Sequence, residues 1–244
     1  MCTVSFVPLQ HGVCITSNRD ENIHRLPALP PAMYRHNNKP LWYPKDTAAA
    51  GSWFVCRPGG DCVVLLNGAF EKYIPAASYN KSRGLVLLDI ALCINPVAAF
   101  ENMPLQHIAP FTIIVFCKNT LYECRWDGEN KYCKKLDAAV GHIWSSATLY
   151  TEAAQEKRKN WFSHALSQNM LNTQEAIMHF HTFTGDGDFA NSLVMKRDNI
   201  LQTLSITSAH ITANGILLQH HDVVQQQGHV AVIPSELNAI ETHA

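Results

Sequence analysis

The chain has 244 residues, 47% of them hydrophobic, and a formal net charge of −1. This is enough apolar material for one substantial core without covalent staples, and we read residues 1–244 as a single domain. Near-neutrality excludes a partnership with nucleic acid or an anionic membrane that rests on bulk charge.

Two short basic clusters do not alter that reading. Lys134-Lys135 is brief, and Lys157-Arg158-Lys159 lies beside Glu152 and Glu156 on a predicted helix, as a solvated face would. The eight cysteines are irregularly spaced and form no Cys-x-x-Cys; Cys62 and Cys117 sit inside apolar, strand-like runs. Reduced, mostly buried thiols of a cytoplasmic protein are expected rather than a disulfide frame. No basic segment leads into an apolar one at the N-terminus, and no apolar run approaches the ~20 residues of a membrane span. A soluble protein without signal peptide or transmembrane segment is expected.

The first predicted elements are two alternating, β-prone runs, Thr3–Val7 and Val13–Ser17, joined by a turn over Pro8–Gly12. Residues 27–44 carry five prolines with Tyr34, Trp42 and Tyr43, and read as an extended loop over a site. Strands follow at Trp53–Arg57 and Cys62–Ala69 about a Pro58-Gly-Gly-Asp61 turn. Helix is expected from Arg83 to Asn102, broken at Asn95-Pro96, where Asn95 can cap a second helix. Four strands come next: Phe111–Cys117, Thr120–Trp126, Lys131–Leu136 and Gly141–Ser146. The longest helix spans Thr151–Met170 with Thr151 as cap, and Asn172-x-x-Glu175 fits a capping box for another. Strands at Leu201–Thr212 and Ile216–His221 meet at Asn214-Gly215, and a last strand falls near Val230–Ile233. Consecutive antiparallel strands with grouped helices indicate an α+β fold of two packed antiparallel sheets flanked by helices.

The most informative chemistry lies at the start. Cys2 follows the initiator methionine and is small enough for that methionine to be removed, which would put a thiol and a free α-amine on one residue. Their ordinary pKa values, ~8.5 and ~8, are well matched as nucleophile and base. A turn centred on Gln10-His11 sets Cys2 opposite Asn18 or Arg19, and one centred on His11-Gly12 moves its partner to about Glu21. Cross-strand Cβ atoms are ~4.5–5.5 Å apart, so every register brings a guanidinium and two carboxylates near the thiol. Arg19 would favour the thiolate and Asp20 would orient the ammonium. Taken alone, Cys2 reads as an inert small hydrophobe and Arg19/Asp20 as a charge pair at a strand end.

Met1-Cys2-Thr3 and Ser17-Asn-Arg-Asp-Glu21 resemble the defining features of the NRDE proteins, the transport-and-Golgi-organisation-2 family. Ala50-Gly-Ser-Trp-Phe54 resembles that family's Gly-Thr-Trp-Leu segment. Val63-Val-Leu-Leu-Asn67 resembles its strand ending in Asn, and Ser82-Arg-Gly84 its Ser-Arg-Gly at the start of a helix. The resemblance is strong over roughly residues 1–90. It implies the four-layer αββα sandwich of N-terminal-nucleophile (Ntn) hydrolases, shared with cysteine relatives such as penicillin V acylase and bile salt hydrolase.

By motif Asn67 aligns with an asparagine that stabilises the oxyanion in such relatives; in isolation it is equally a turn-former before Gly68. Cys2, Arg19, Asp20 and Asn67 are therefore the expected catalytic residues, and Asn18, Glu21, Trp53 and Ser146 the expected substrate contacts. Trp53, Tyr34 and Trp42 are candidate pocket walls. The pattern is not followed throughout. Cysteine relatives often read Arg-Asn-x-Asp near the NRDE position; Ser146 stands where an Asn is expected, and Gln202-Thr-Leu-Ser205 replaces a Thr-Arg-Ser-Ser/Thr segment.

Other constellations carry less. His179 and His181 would project ~200° apart on a helix, and His220 and His221 lie on opposite faces of a strand; neither pair suits a metal. Asp186-Gly-Asp188 is too short for a calcium loop, and there is no P-loop, Rossmann fingerprint or Gly-x-Ser-x-Gly. The expected activity is hydrolysis of a non-peptide amide of a small molecule through a thioester, without metal or organic cofactor. The alternative is a non-catalytic binding or trafficking module for an apolar ligand such as haem or a lipid, as suggested within the wider family.

Overall fold

In the computed structural model, which describes residues 3–235, β1 (Thr3–Leu9) and β2 (Gly12–Asn22) form a hairpin with Leu9 opposite Gly12. Gln10 and His11 are the two turn residues, and Gly12 takes φ +97°, a value that other residues rarely adopt. A Cβ at Gly12 would also collide with the Ile211 carbonyl 1.9 Å away. The turn therefore fixes the pairing Thr3–Asn18, the first of the two registers that the sequence left open.

Two seven-stranded antiparallel sheets stack face to face. One runs β10-β1-β2-β12-β13-β14, with the short β11 (Lys196–Arg197) pairing on β12. Its later strands are β10 (His142–Ser145), β12 (Leu201–Thr212), β13 (Gly215–Asp222) and β14 (Gln227–Pro234). The second sheet runs in chain order through β3 (Leu29–His36), β4 (Lys39–Lys45), β5 (Phe54–Arg57) and β6 (Asp61–Asn67). It continues with β7 (Phe111–Cys117), β8 (Thr120–Trp126) and β9 (Lys131–Leu136).

Helices α1 (Arg83–Leu92) and α2 (Pro96–Asn102) cover the outer face of the second sheet, and α3 (Glu152–Ser167) and α4 (Gln174–Phe183) that of the first. The result is the four-layer αββα sandwich. Its main core lies between the sheets and under α1 and α2, with a separate cluster under α3 and α4. Every residue of β7 is buried, as expected of a central strand covered on both faces.

Caps explain the helix boundaries. Asn95 accepts from the amides of Val97 and Ala98, with Pro96 at the first helical position, so the break inside the expected Arg83–Asn102 helix is confirmed. Thr151 caps α3. The cap of α4 is Thr173, which accepts from Ala176 N–H, one residue later than expected from Asn172; with Ala176 at the third helical position the expected capping box does not form.

Three other expectations are corrected. Residues 27–44 are not an extended loop: they build the β3–β4 hairpin about Asn37-Asn38, both left-handed with φ of 49° and 63°. The prolines mislead because β3 is an edge strand, where Pro30 and Pro31 sit at an irregularity and need donate to no ladder. Tyr34 consequently stacks on Tyr43 at 4.3 Å and Trp42 joins the main core.

Arg158 is fully buried, unlike the solvated helix face expected for the Lys157–Lys159 run. Among the cysteines, Cys124 and Cys133 are cross-strand partners on β8 and β9 joined as a disulfide, whereas Cys14, Cys56, Cys62 and Cys117 are buried free thiols.

The start of α1 presses onto the chain before β5, backbone against backbone. A Cβ on Gly51 would stand 2.5 Å from the Gly84 carbonyl carbon, and one on Gly84 2.8 Å from the Ser52 carbonyl oxygen. Gly51→Ala should therefore lower stability by about 1–3 kcal/mol through overpacking. Thermal unfolding would show this as a fall of roughly 2–4 °C per kcal/mol. Gly228→Ala, where a Cβ meets nothing within 4 Å, should leave the transition unchanged.

Candidate active site

Alternation along β2 sends successive residues of the Asn-Arg-Asp-Glu string to opposite faces. Asn18 and Asp20 point toward α3 and α4; Arg19 and Glu21 point toward the second sheet and line a cleft. Trp53, Leu65 and Asn67 line the same cleft from the second sheet, with Ser82–Gly84 at the start of α1 closing one wall. The sandwich thus brings together four expected residues, Arg19, Glu21, Trp53 and Asn67. Cys2 lies outside the described residues.

Arg19 is only 3% exposed. Its Nη2 donates to Asp46 Oδ2 at 2.8 Å, and its guanidinium lies 4.5 Å from the centre of the Trp53 ring, a cation–π contact. Burial pulls the Arg19 pKa down from its usual value, with Asp46 opposing.

Asp46 also accepts from Arg25 Nε at 2.9 Å and, through Oδ1, from the amides of Ala48 and Ala49. Burial alone would raise its pKa. The Arg25 hydrogen bond, the Ala49 amide and the two guanidinium charges outweigh burial and hold it below the usual carboxylate range. Asp46 and Arg25 were not singled out from sequence. Their signal was a lone acid after the strand-like 41–45 and a lone base after the NRDE string.

Asn67 ends β6, and its backbone carbonyl accepts a 2.8 Å hydrogen bond from Ser146 Oγ, which is also paired with Thr148 Oγ1 at 2.9 Å. Ser146 is therefore a buried strut from the end of the first sheet to the backbone of Asn67. The Asn67 side-chain amide makes no hydrogen bond among the described residues. The indole N–H of Trp53 is buried without a partner among them as well.

On the other face Asn18 is wholly engaged. Its amide donates to the carbonyls of His181 (3.0 Å) and Leu193 (2.8 Å), and its Oδ1 is paired with His181 Nδ1. Because Oδ1 can only accept, Nδ1 carries the proton, and Nε2 accepts from Ser5 Oγ at 2.7 Å. Burial, reinforced by the Arg158 charge, pushes the His181 pKa down to about 3, so the ring is neutral.

Asp20 accepts from Tyr150 Oη at 2.6 Å and from Thr203 Oγ1. A bulge at Leu204 makes this possible: Thr203 pairs with Asp20 on the helix side, while Ser205 pairs with Arg19 on the inner side. Arg158 lies 3.5 Å from the Tyr150 ring and donates to Thr3 Oγ1 and to the Ser192 carbonyl. The start of β1 is thereby pinned beside Asp20.

The histidines excluded as metal ligands fall into ordinary roles. His179 packs on Phe183, and His220 bonds Thr207 Oγ1 at 2.8 Å. Burial lowers the His220 pKa to about 4, with Asp222 opposing. Asp186 and Asp188 pair with Lys157.

The αββα sandwich that places Arg19 and Asn67 on one cleft has the Ntn-hydrolase-like fold. The description "Transport and Golgi organisation 2" fits residues 1–208, and the chain belongs to that family. No curated protein matches it in sequence. Solved structures resemble it in fold. One is a Caenorhabditis elegans N-acylethanolamine-hydrolyzing acid amidase ortholog, with TM-score 0.59 and 13% identity over 85% of this chain and 92% of that one. Two are substituted forms of conjugated bile acid hydrolase from Clostridium perfringens, each 9% identical. Their TM-scores are 0.53 and 0.51, over 95% and 98% of this chain and 92% and 93% of theirs. Among the described residues no helix is long and apolar enough to cross a membrane.

The buried histidines set a pH dependence. In the unfolded chain they titrate near 6.5, but folded His181 and His220 do so only near 3 and 4. The unfolded state therefore binds more protons between these values, and stability present above pH 6.5 is lost as pH falls. Each should contribute a slope approaching about 1.4 kcal/mol per pH unit in that window. Denaturant unfolding between pH 6.5 and 4.5 should show the decline, and His181→Gln should make it shallower while being less stable at pH 7.5.

Proposed function

We propose that this protein is an Ntn-type amidohydrolase with Cys2 as nucleophile, acting on a linear, non-peptide amide. The observation that carries the reading is the facing of Arg19 and Asn67 across one cleft, with the β1–β2 ladder in register at Thr3–Asn18. In the proposed site Cys2, one residue before Thr3, acts opposite Arg19.

In the proposed cycle the α-amine of Cys2 takes the thiol proton. The thiolate then attacks the amide carbonyl carbon, forming a C–S bond and moving the π electrons onto oxygen. The Asn67 side chain and a backbone N–H donate to that oxyanion. Collapse breaks the C–N bond, and the leaving amine takes the proton from the α-ammonium. Water then attacks the thioester, its proton passing to the α-amine, and the C–S bond breaks to release the acid and restore the thiol. The balance is amide plus water to carboxylic acid plus amine.

Arg19 favours the thiolate, held in place by Asp46 and Trp53. Asp20 orients the amine from a carboxylate that Tyr150 and Thr203 fix. Glu21 and Trp53 form cleft walls. Asn18 acts through position alone, tying β2 to α4, and Ser146 does the same for Asn67.

Intact mass should show Met1 absent, because retained methionine would block the α-amine and end the proposal. At neutral pH Cys2 should be alkylated ahead of the buried thiols, and Arg19→Ala should slow that labelling. Against a panel of acylated amines Cys2→Ala should be inactive, and Asn67→Ala should lose about 10²–10³-fold in kcat. Equal turnover by Cys2→Ala and wild type would sink the assignment.

A further inference from the structure

Among the described residues the cleft has more hydrogen-bond donors than its acceptors engage, and every acidic group lining it already has partners. Three guanidinium groups line it, those of Arg19, Arg25 and Arg83, against two carboxylates, Glu21 and Asp46. Both Asp46 oxygens are taken, by two arginines and two backbone amides. Glu21 accepts from the Asn22 amide at 3.0 Å and lies 3.7 Å from Arg25.

The arginines are far from saturated. Each has five N–H donors. Among the described residues Arg19 uses one nitrogen, toward Asp46, and Arg83 uses one, Nη1, toward Tyr73 Oη (3.1 Å) and the Pro110 carbonyl (3.0 Å).

Two further features add positive potential or donors. Ser82–Gly84 put the N-terminus of the ten-residue α1 on the cleft wall; Ser82 Oγ caps only Leu85 N–H, and the amides of Arg83 and Gly84 point out of the helix start. Independently, Trp53, 1% exposed and lining the same cleft, holds an indole N–H with no partner among the described residues. A second cavity shares Arg19 and Arg25 and is lined by Ser205, whose buried hydroxyl also has no partner among the described residues. Apolar lining of the main cleft is limited to Ala49, Trp53 and Leu65.

We propose that the cleft selects an amide whose amine portion carries an anionic group, a carboxylate above all, held by Arg83 and Arg25, with a short acyl portion instead of a long fatty chain. This rests on the reading of the cleft as an amidase site and specifies its substrate class. A planar carboxylate matches the fork of a guanidinium and fills donors that a neutral hydroxyl could not.

The test is binding to full-length Cys2→Ala protein, so that turnover does not enter. The probes are N-butyrylglycine, N-butyrylethanolamine and N-butyrylethylenediamine, which share an acyl group and differ in terminal charge. Titration calorimetry at low salt should give the glycine conjugate at least about ten-fold tighter binding than the ethanolamide, with the cationic probe weakest. The preference should shrink at high salt and vanish in Arg83→Gln combined with Arg25→Gln. Arg83→Lys, which keeps the charge, should retain part of it, and unfolding curves on each variant identify any loss that is merely structural.

Equal affinity for the glycine and ethanolamine conjugates, or no binding of the former at millimolar concentration, overturns the inference. Hydrolysis by wild type is measured separately on the same amides. Charge-selective binding without turnover would remove the hydrolase reading and leave this one, and turnover without charge preference would do the reverse.

Discussion

The site depends on the parity of one hairpin. With Leu9 opposite Gly12, Thr3 opposes Asn18, and side chains of the NRDE string are dealt alternately to two chemically different layers. A slip of one residue would turn Arg19 toward the helices and Asn18 into the cleft. Gly12 guards against it: its positive φ and its contact with the Ile211 carbonyl admit no larger residue. The first turn of the chain thus decides which groups face the cleft.

Parity alone would not hold Asp20 and Arg19 in their separate environments, because the neighbouring β12 must supply a partner on each face. The bulge at Leu204 does this, turning Thr203 and Ser205 to opposite sides although they are two residues apart. Beneath α3 and α4 the sheet face is unusually polar, with Thr3, Ser5, Thr16, Asn18 and Asp20 all buried. Such groups are tolerated only when paired, since an unmet buried donor or acceptor costs about 1–3 kcal/mol. From the helical side His181 pairs Ser5 and Asn18, Arg158 pairs Thr3 and Tyr150 pairs Asp20, while Thr16 bonds Ser208, to which Gln174 donates. The helices therefore act less as an oily cover than as a hydrogen-bonding template that fixes the first two strands.

These features were unequally legible in the sequence. The strands at 111–136 and 201–212 were evident because long apolar or alternating runs end at Asn and Gly turns, and the α1–α2 break because Asn95-Pro96 carries both cap and stop. Arg158 was misread because a run of three basic residues looks solvated unless the polar sheet face beneath it is known. The β3–β4 hairpin was hidden by prolines that an edge strand accepts. For the site, local motif and alternation were enough to group Arg19, Trp53 and Asn67. Asp46 could not be found that way, since its role comes from two arginines that converge only in three dimensions. Ser146 was singled out as a substrate contact, but its hydrogen bond to the backbone of Asn67 from the far sheet was not legible in the sequence.

The location of apolar surface bears on what the cleft can hold. Asn67 and the start of α1 lie at one end of β6 and α1, where the lining is guanidinium, carboxylate and amide. The opposite end of the same two elements, around Asp61 and Leu92, carries a groove with Pro40, Leu41, Pro58 and Ile94 in its walls. An apolar ligand would be better accommodated there, about the length of a strand away from Arg19. A binding module for such a ligand would then leave the cleft's arginines without a purpose. Burying Arg19 against Trp53 and satisfying Asp46 four times over is a costly arrangement for an idle surface. It is readily understood as a preorganised one, in which donors stand fixed before a charged substrate arrives.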